Sequence, residues 1–388
     1  MKLLKIIASG IPLFKDKCEI DFLAQQRVSA DNANDMSCLF SSGQQAYYQN
    51  NVISFIGINA SGKTTILKLI TFVCRMINNE SINNIAYSEI LDSMSEESEA
   101  VFDVFFYAEN QTVNMLHTVV SRKGGRLFIK DEYLKSKSIS KVKRKADIFD
   151  FNNNSSTLTR NKDEEFLLDD ISIIIAYNKK NKERLALAEM LQYTNINELN
   201  LFENCPSELI AFFDPSVEYL IIQKDGKDYD IRLKFRNEEE VILNKASELN
   251  RYLSSGTIKG INIFLYAIKT FETGGYLIVD ELENHFNHEI VSTLIRFYKD
   301  KKVNPKGAML IFTTHYAELL DEFERNDNIF TVRNDHGIKA ENLSLILKRN
   351  DIKKSDAYQS GFLQGTTPMY DSYMNLKKEL IKNQGGKL

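Results

Sequence analysis

The sequence predicts an α/β protein in which two distant parts of the chain build one core sheet, with an antiparallel β subdomain between them. Three observations support this fold. An apolar strand at 52–56 runs into a glycine-rich turn and then an apolar helical pattern. Apolar strands at 276–279 and 308–313 alternate with further helical patterns. Residues 100–135 alternate as β-hairpins do, with a turn at Gly124-Gly125.

The N-terminal part of the chain reads as strand, turn, strand and loop. Residues 2–8 and 18–22 have strand-like patterns, and Gly10-Ile11-Pro12 interrupts them. Residues 25–50 are rich in Ser, Asn, Asp and Gln, which predicts an exposed loop before the strand at 52–56.

The middle of the chain has weaker patterns. Residues 135–165 are polar and are expected to be irregular or loosely helical. An apolar run at 171–176 predicts a strand, and residues 181–192 are expected to form a helix. Residues 219–223 and 229–235 flank Asp225-Gly226, which predicts a hairpin turn.

Residues 57–64 read Gly-Ile-Asn-Ala-Ser-Gly-Lys-Thr and fit the pattern G-x-x-x-x-G-K-[ST]. In such a loop backbone N–H groups surround phosphate oxygens, and the following helix adds its positive end. Lys63 would contact the β- and γ-phosphates of ATP, and the Thr64 hydroxyl would bind Mg²⁺. A glycine turn with an incidental lysine is the alternative. The predicted nucleotide-binding residues of the loop are Gly57, Asn59, Ala60, Ser61, Gly62, Lys63, Thr64 and Thr65.

A pair of carboxylates, Asp280 and Glu281, directly follows the strand at 276–279. Because phosphate loops lie at the carboxyl edge of parallel sheets, this pair should lie near residues 57–64. We expect Asp280 to complete the Mg²⁺ site through water, and Glu281 to orient and polarise the attacking water.

Two further motifs complete a set that resembles the ABC-type ATPases. Residues 253–257, Leu-Ser-Ser-Gly-Thr, resemble the family's LSGGQ signature, and His315 resembles its switch histidine. In that family the signature of one subunit closes over the γ-phosphate held by the other. The resemblance implies that Ser254, Ser255 and Gly256 contact nucleotide in trans and that His315 senses the γ-phosphate. Ser255 replaces the usual Gly, and an ordinary helix N-cap is the alternative for Ser254.

The same resemblance implies a glutamine-containing Q-loop and a D-loop. The segment 171–178 has the expected place for the Q-loop but contains no Gln, so Asn178 could supply the amide. Residues 284–287 fall where the D-loop should be. Histidines and glutamates near it could suggest a metal cluster, but their spacing fits no zinc pattern.

The predicted architecture is an ABC-type P-loop ATPase head with a mixed core sheet, an antiparallel β subdomain and an inserted α/β region. Sustained heptads are absent from the sequence, so no long coiled coil is expected. We expect residues 1–110 to form the N-terminal half of the head and 111–240 the β subdomain and inserted regulatory region. Residues 241–388 would form the C-terminal half, with the signature, the acid pair and His315.

The composition narrows the class of protein. With 388 residues, 43% hydrophobic and 26% charged, the chain is ordinary for a globular protein. It has no run of 18 apolar residues, so a membrane span is not expected and the cytoplasm is the default location. The net charge of −4 excludes a uniformly basic nucleic-acid coat. The four cysteines form no CxxC pair, which argues against a zinc ribbon.

Among ABC-type ATPases, the chain is similar to the compact OLD/RecF-like group, also called AAA-15 or AAA-21 proteins. The resemblance lies in the N-terminal strand pair, residues 53–65, Phe213-Asp214-Pro215-Ser216 and residues 280–284. The Glu plus Asp-x-Asp set of a TOPRIM nuclease is not seen after His315. The chain therefore looks like the stand-alone ATPase subunit of two-gene phage-defence systems of the PARIS and AbiL kinds.

This resemblance implies an ATP-hydrolysing switch or scaffold, a head dimer or larger oligomer, that restrains and releases a separate nuclease-like effector. The trigger would be DNA or a phage protein. The alternative is a RecF-like DNA-repair ATPase that clamps duplex DNA. A basic tract could contact DNA or a partner, or could simply be a solvated loop. It comprises Lys135, Lys137, Lys141, Lys143, Arg144 and Lys145.

Overall fold

The structure is a computed structural model that describes residues 1–29, 32–151, 155–160, 167–192, 199, 206–225, 228–284, 286–361, 363 and 370–385. The strands are β1 (Lys2–Ser9), β2 (Cys18–Asp21), β3 (Met36–Ser42), β4 (Gln45–Asn50), β5 (Val52–Ile56), β6 (Glu99–Ala108), β7 (Thr112–Lys123), β8 (Arg126–Ser138), β9 (Ser156–Thr159), β10 (Leu187–Glu189), β11 (Val217–Asp225), β12 (Asp228–Phe235), β13 (Glu240–Leu243), β14 (Tyr276–Val279), β15 (Met309–Thr314), β16 (Ile329–Asn334) and β17 (Ile338–Asn342). The helices are α1 (Lys63–Ile77), α2 (Ile174–Asn181), α3 (Ser207–Phe213), α4 (Ser255–Thr273), α5 (His288–Lys299), α6 (Leu343–Ile346), α7 (Lys354–Gln359) and α8 (Tyr370–Gly385).

The core sheet has the strand order β10-β14-β15-β5-β16-β17. Every pair except β16–β17 is parallel. Strand β5 enters between β15 and β16, with Val52 opposite Leu310, so the N-terminal and C-terminal parts of the chain share one sheet. All residues of β5, β14 and β15 are buried, as their continuous apolar runs predict for a parallel sheet covered on both faces.

Alternate residues of the central strands enter two different cores. Tyr276 and Ile278 of β14 pack with α1 and the antiparallel sheet, whereas Leu277 and Val279 pack with α4 and α5. The period-two alternation of strand side chains accounts for this division. Helix α1 therefore lies between two sheets, and the loop before it is held at the carboxyl edge of the core sheet.

The antiparallel subdomain has the order β2-β1-β6-β7-β8-β9. The predicted hairpins at 100–135 are confirmed, with Gly124 and Gly125 at φ 56° and 78° in the turn between β7 and β8. A smaller sheet, β11-β12-β13, confirms the predicted strands at 219–223 and 229–235. The predicted turn residue Gly226 lies outside the described residues. The predicted architecture, with a mixed core sheet and an antiparallel subdomain, is thus confirmed.

Three local predictions are wrong. Residues 25–50 contain the β3–β4 hairpin rather than only a loop. The run at 171–176 does not form a strand but leads into α2, because the buried Glu132 carboxylate accepts the backbone N–H of Ile173 (2.8 Å) just before the helix. Residues 181–192 do not form a helix: α2 ends at Asn181 and β10 follows. Within the described part of the chain, no helix has the length and hydropathy needed to cross a bilayer.

Candidate nucleotide-binding site

The loop between β5 and α1 has glycine where side chains would collide. A Cβ at Gly57 would lie 2.4 Å from the carbonyl oxygen of Val332, and Gly62, the N-cap of α1, has φ 98°. Residues with a side chain rarely adopt that left-handed conformation. The loop can therefore keep its backbone close to β16 and turn sharply into the helix, which is the arrangement that presents N–H groups to an anion.

The Lys63 side chain folds back over the loop. Its Nζ donates to the carbonyl oxygens of Gly57 (2.9 Å) and Ile58 (3.2 Å) and lies 3.2 Å from Nδ1 of His315. Burial lowers the pKa of Lys63, and the nearby carboxylates of the acid pair oppose that effect only in part. The cation is held by neutral oxygen and nitrogen atoms, so a phosphate would be a stronger partner than any it contacts in this structure.

Thr64 and Asp280 meet at the start of α1. The Thr64 hydroxyl donates to Asp280 Oδ2 at 2.7 Å, and the Thr313 hydroxyl donates to Asp280 Oδ1. Thr313 also accepts the backbone N–H of Glu281 at 2.7 Å. The end of β15 thus fixes both the side chain of Asp280 and the backbone of the following residue.

Glu281 lies between two side chains that orient its carboxylate. Asn284 donates to Oε2, and Nε2 of His315 lies 3.2 Å from Oε1. Partial burial raises the pKa of Glu281, but the hydrogen bonds from His315 and Asn284 outweigh it and hold the pKa below the usual value. Because Lys63 has only donors, Nδ1 of His315 must accept, so the ring proton is assigned to Nε2 and points at Glu281.

Glu283 fixes the backbone of His315. The backbone N–H of His315 donates to Glu283 Oε1, and Glu283 is only 4% exposed. Burial raises the pKa of Glu283, and the hydrogen bond from His315 opposes this only in part. The structure therefore brings together the loop, the acid pair and His315, three motifs that the sequence analysis had to combine.

The residues at this site fit ATP and Mg²⁺. The Ser61 hydroxyl is buried and lacks a hydrogen-bond partner among the described residues, at the point where the loop would surround phosphate. Thr64 and Asp280 supply the hydroxyl and carboxylate oxygens that Mg²⁺ prefers.

The signature segment (residues 253–257) begins α4. The Ser254 hydroxyl accepts the backbone N–H of Thr257 at 3.0 Å, so this residue is an N-cap of the helix. Ser254 and Ser255 are exposed, and Gly256 is partly exposed. In the described part of the chain no hydrogen bond joins these three residues to the phosphate loop, so the structure leaves them facing outward.

Asn178 does not lie at the nucleotide site. Its Nδ2 donates to the carbonyl oxygen of Ile77 (2.7 Å) and to Asn79 Oδ1 (2.9 Å), at the far end of α1 from the loop. A helix of 15 residues is about 20 Å long, so the predicted Q-loop role of Asn178 is wrong. The error follows from taking the 171–176 run as a core strand.

Gln192 lies three residues after the end of β10 and is exposed. It follows β10, which is parallel to β14 and ends at the same edge. Met190, two residues before it, lines the small cavity that Asp280 and Glu281 also border. The helix expected at 181–192 left no place for a strand end there, so Gln192 was not among the predicted site residues. Thr313 was not predicted either, although a polar residue near the end of an apolar strand is a usable signal.

The basic tract is only partly available to a ligand. Lys137 donates to the backbone carbonyls of Asp147 and Asp150 and lies 4.2 Å from the ring centre of Phe151. Lys145 donates to the Ala24 carbonyl. These two lysines stabilise the subdomain. The exposed members of the tract are Lys141, Lys143 and Arg144.

Comparison with known proteins defines the family. Residues 52–321 match the family model described as "AAA domain, putative AbiEii toxin, Type IV TA system". The chain belongs to this family. The matched part of the AAA domain contains the phosphate loop, the signature segment, the acid pair and His315. The predicted membership of the AAA-15/AAA-21 group is confirmed at this level, and nucleotide binding follows from the P-loop domain.

Other comparisons add little to the family match. No curated protein matches the chain. Similar solved structures include one entitled "Structure of the recombination mediator protein RecF-ATP in RecFOR pathway", with a TM-score of 0.36 and 10% sequence identity. That comparison covers 88% of this chain and 97% of the other.

Proposed function

We propose that this AAA domain hydrolyses ATP with Mg²⁺ in sites shared between two copies of the chain. The observation that supports it most is the chain of contacts Lys63–His315–Glu281, with both links at 3.2 Å. It connects the cation that would hold the γ-phosphate to the carboxylate that would accept a proton from water. Purified protein should convert ATP to ADP and phosphate in the presence of Mg²⁺. If it binds ATP but does not hydrolyse it, the protein would be an ATP-dependent scaffold and not an ATPase.

Each residue has a specific task in this proposal. Lys63 and the loop N–H groups bind the phosphates, and Glu281, oriented by Asn284 and His315, accepts the proton of the attacking water. Mg²⁺, held by oxygens of Thr64 and Asp280, would neutralise phosphate charge when bound. His315 contacts both Lys63 and Glu281, so a γ-phosphate that draws Lys63 away would change the hydrogen bonding of the base. Gln192 is the residue we assign to the Q-loop role.

The shared site is proposed because the signature segment faces outward. Ser254, Ser255 and the N-terminus of α4 present hydroxyls and a positive helix end to solvent. A phosphate held by the loop of a second copy would be a suitable anion for them. Mixing a variant of the signature segment with a variant of the phosphate loop tests this, because only a shared site can be restored by the mixture.

We further propose that the ATPase acts as a switch for a separate nuclease-like effector in anti-phage defence by abortive infection. The site supplies ATP chemistry, and the family description names a toxin system, which supports a defence role. Purification from the native host followed by mass spectrometry tests this. A co-purifying nuclease released in a Glu281-dependent manner would support it.

A repair ATPase that clamps duplex DNA is the second candidate. The exposed cations Lys141, Lys143 and Arg144 on the antiparallel subdomain favour it, because clustered cations bind DNA phosphates. Recovery of the ATPase alone, with tight ATP-dependent binding to duplex DNA, would favour the clamp over the switch.

A further inference from the structure

A second groove lies on the antiparallel side of the molecule, and the ATP site does not use it. It is lined by residues 23–28, by residues 44–48 at the turn and start of β4, and by Lys145; we call it the amide groove. Its volume is about 460 Å³. Sites for small molecules and cofactors commonly have volumes in this range.

One wall of the amide groove is held in place by a buried ion pair. Arg325 and Asp327 are 5% and 0% exposed and contact each other. Asp327 accepts the backbone N–H groups of Gln25 (2.6 Å) and Gln26 (2.9 Å), and Arg325 donates to the carbonyls of Gln26 (2.9 Å) and Arg27 (3.0 Å). These four bonds fix the backbone of residues 25–27, so their side chains project from a fixed frame.

The side chains of the groove are unusually rich in amides. Four glutamines line it, together with two tyrosines; they are Gln25, Gln26, Gln44, Gln45, Tyr47 and Tyr48. The Gln44 side chain is exposed and is seen in no hydrogen bond with the described residues. A carboxamide both donates and accepts, so it can pair with the edge of a nucleobase, and tyrosine rings stack on base faces.

The groove is also cationic. Lys145 Nζ donates to the Ala24 carbonyl (2.6 Å) and to Gln25 Oε1 (2.9 Å), both of them neutral acceptors. Arg27 is exposed, and its guanidinium has no carboxylate partner among the described residues. Lys143 and Arg144 lie beside Lys145 on the adjoining segment and are exposed. A ligand that combines a phosphate with hydrogen-bonding edges would satisfy both sets of groups.

We propose that the amide groove binds a nucleotide unit, a base with its phosphate, from either a free nucleotide or a single-stranded nucleic acid. The Gln44 amide would contact the base edge, because Gln25, Gln26 and Gln45 already hydrogen-bond within the protein. Tyr48 would stack on the base, because Tyr47 is buried against Phe40. Arg27 with Lys145 would bind the phosphate. An acidic peptide would use the cations but would gain nothing from the stacking surface, so it is the less suitable ligand.

The test must separate this groove from the ATP site. Lys63→Ala protein provides the background, because its phosphate loop lacks the main phosphate contact. The probes are a fluorescein-labelled ten-nucleotide single-stranded DNA, the corresponding RNA, and AMP and GMP as competitors. On this background Arg27→Ala should weaken binding about 10-fold, the effect of losing one charged hydrogen bond. Gln44→Ala should also weaken it, whereas Lys123→Ala, an exposed cation at the β7–β8 turn, should not.

Two measurements show whether the ligand is a free nucleotide or a nucleic acid. Competition by AMP or GMP at concentrations similar to that of the oligonucleotide indicates a free nucleotide. Tight binding of the oligonucleotide alone, with affinity falling steeply as salt rises, indicates a nucleic acid. The proposal is overturned if no probe binds at millimolar concentration, if Arg27→Ala behaves like Lys123→Ala, or if poly-glutamate competes as well as the nucleotides. Thermal unfolding of Arg27→Ala checks that the variant folds; the hydrogen bond of Arg27 seen among the described residues is made by its backbone carbonyl, which the substitution keeps.

Discussion

Replacing Glu281 by Gln should slow ATP hydrolysis at least 10²-fold while leaving ATP bound. The carboxylate is held by Asn284 on one oxygen and lies 3.2 Å from His315 Nε2 on the other. Gln has the same shape and can still accept from Asn284, but it cannot take a proton from water. Loss of a general base typically costs 10²- to 10⁴-fold in rate, or about 3–5 kcal/mol in activation free energy.

The assay is single-turnover hydrolysis of labelled ATP, with affinity measured separately by titration. Glu289→Gln is the matched control, since Glu289 is an exposed carboxylate on α5 paired with Arg296 at 2.9 Å. A Glu281→Gln variant that hydrolyses ATP within threefold of wild type would refute the assignment. A variant that loses ATP affinity would instead show that Glu281 acts in binding.

The pH dependence of hydrolysis follows from the lowered pKa of Glu281. Burial opposes ionisation, but the hydrogen bonds from His315 and Asn284 outweigh it and hold the pKa of Glu281 below that of an ordinary glutamate. A depressed pKa means that the base form persists as the pH falls. Glu281 should therefore contribute no titration to the rate between about pH 6 and 8. A rate-limiting ionisation in that window that disappears in Glu281→Gln would contradict this account.

Three other predictions test the site and the packing around it. Lys63→Ala should weaken ATP binding by about 100-fold, measured by calorimetry with Lys68→Ala on the same helix as control; equal affinities would place the nucleotide elsewhere. Asn178→Ala removes two hydrogen bonds to the end of α1 and should lower the free energy of unfolding by about 1–3 kcal/mol without changing turnover. Reduced turnover at unchanged stability would restore a nucleotide role for it. Burial raises the pKa of Cys74 to about 12, so peptide mapping after thiol labelling at pH 8 should find Cys38 modified and Cys74 protected; rapid labelling of Cys74 would show that α1 is loosely packed.

The phosphate loop and the acid pair could be predicted because their signals are local. A buried strand, a glycine turn and a helix start are all present within residues 52–64, and Asp280 directly follows β14. The parallel-sheet rule then placed the two motifs at one edge.

The predictions failed where the structure depends on distant partners. A six-residue apolar run can form a strand or a helix. At 171–176 the run leads into a helix because its backbone is bound by the buried Glu132 of β8, which is about 40 residues away along the chain. Likewise, nothing local to Lys137 or Lys145 indicates burial. The carbonyls that hold them come from residues 147, 150 and 24.

The central claim is that each ATP site is shared between two copies of the chain, and mixing two inactive variants tests it most directly. Ser254→Arg places bulk and charge at the start of α4, but it also removes the helix N-cap, which costs about 1 kcal/mol. Ser255→Arg is the companion variant, because Ser255 is exposed and its hydroxyl is seen in no hydrogen bond with the described residues. Each variant should bind ATP yet fail to pair or hydrolyse.

The decisive measurement is the hydrolysis rate of either signature variant mixed with an equal amount of Lys63→Ala protein. Random pairing makes half of the dimers mixed, each with one intact site, so about a quarter of the wild-type rate should return. Sites built within one chain predict that the mixture stays as inactive as its components. Absence of rescue with both Ser254→Arg and Ser255→Arg, when both still bind ATP, would contradict the shared site.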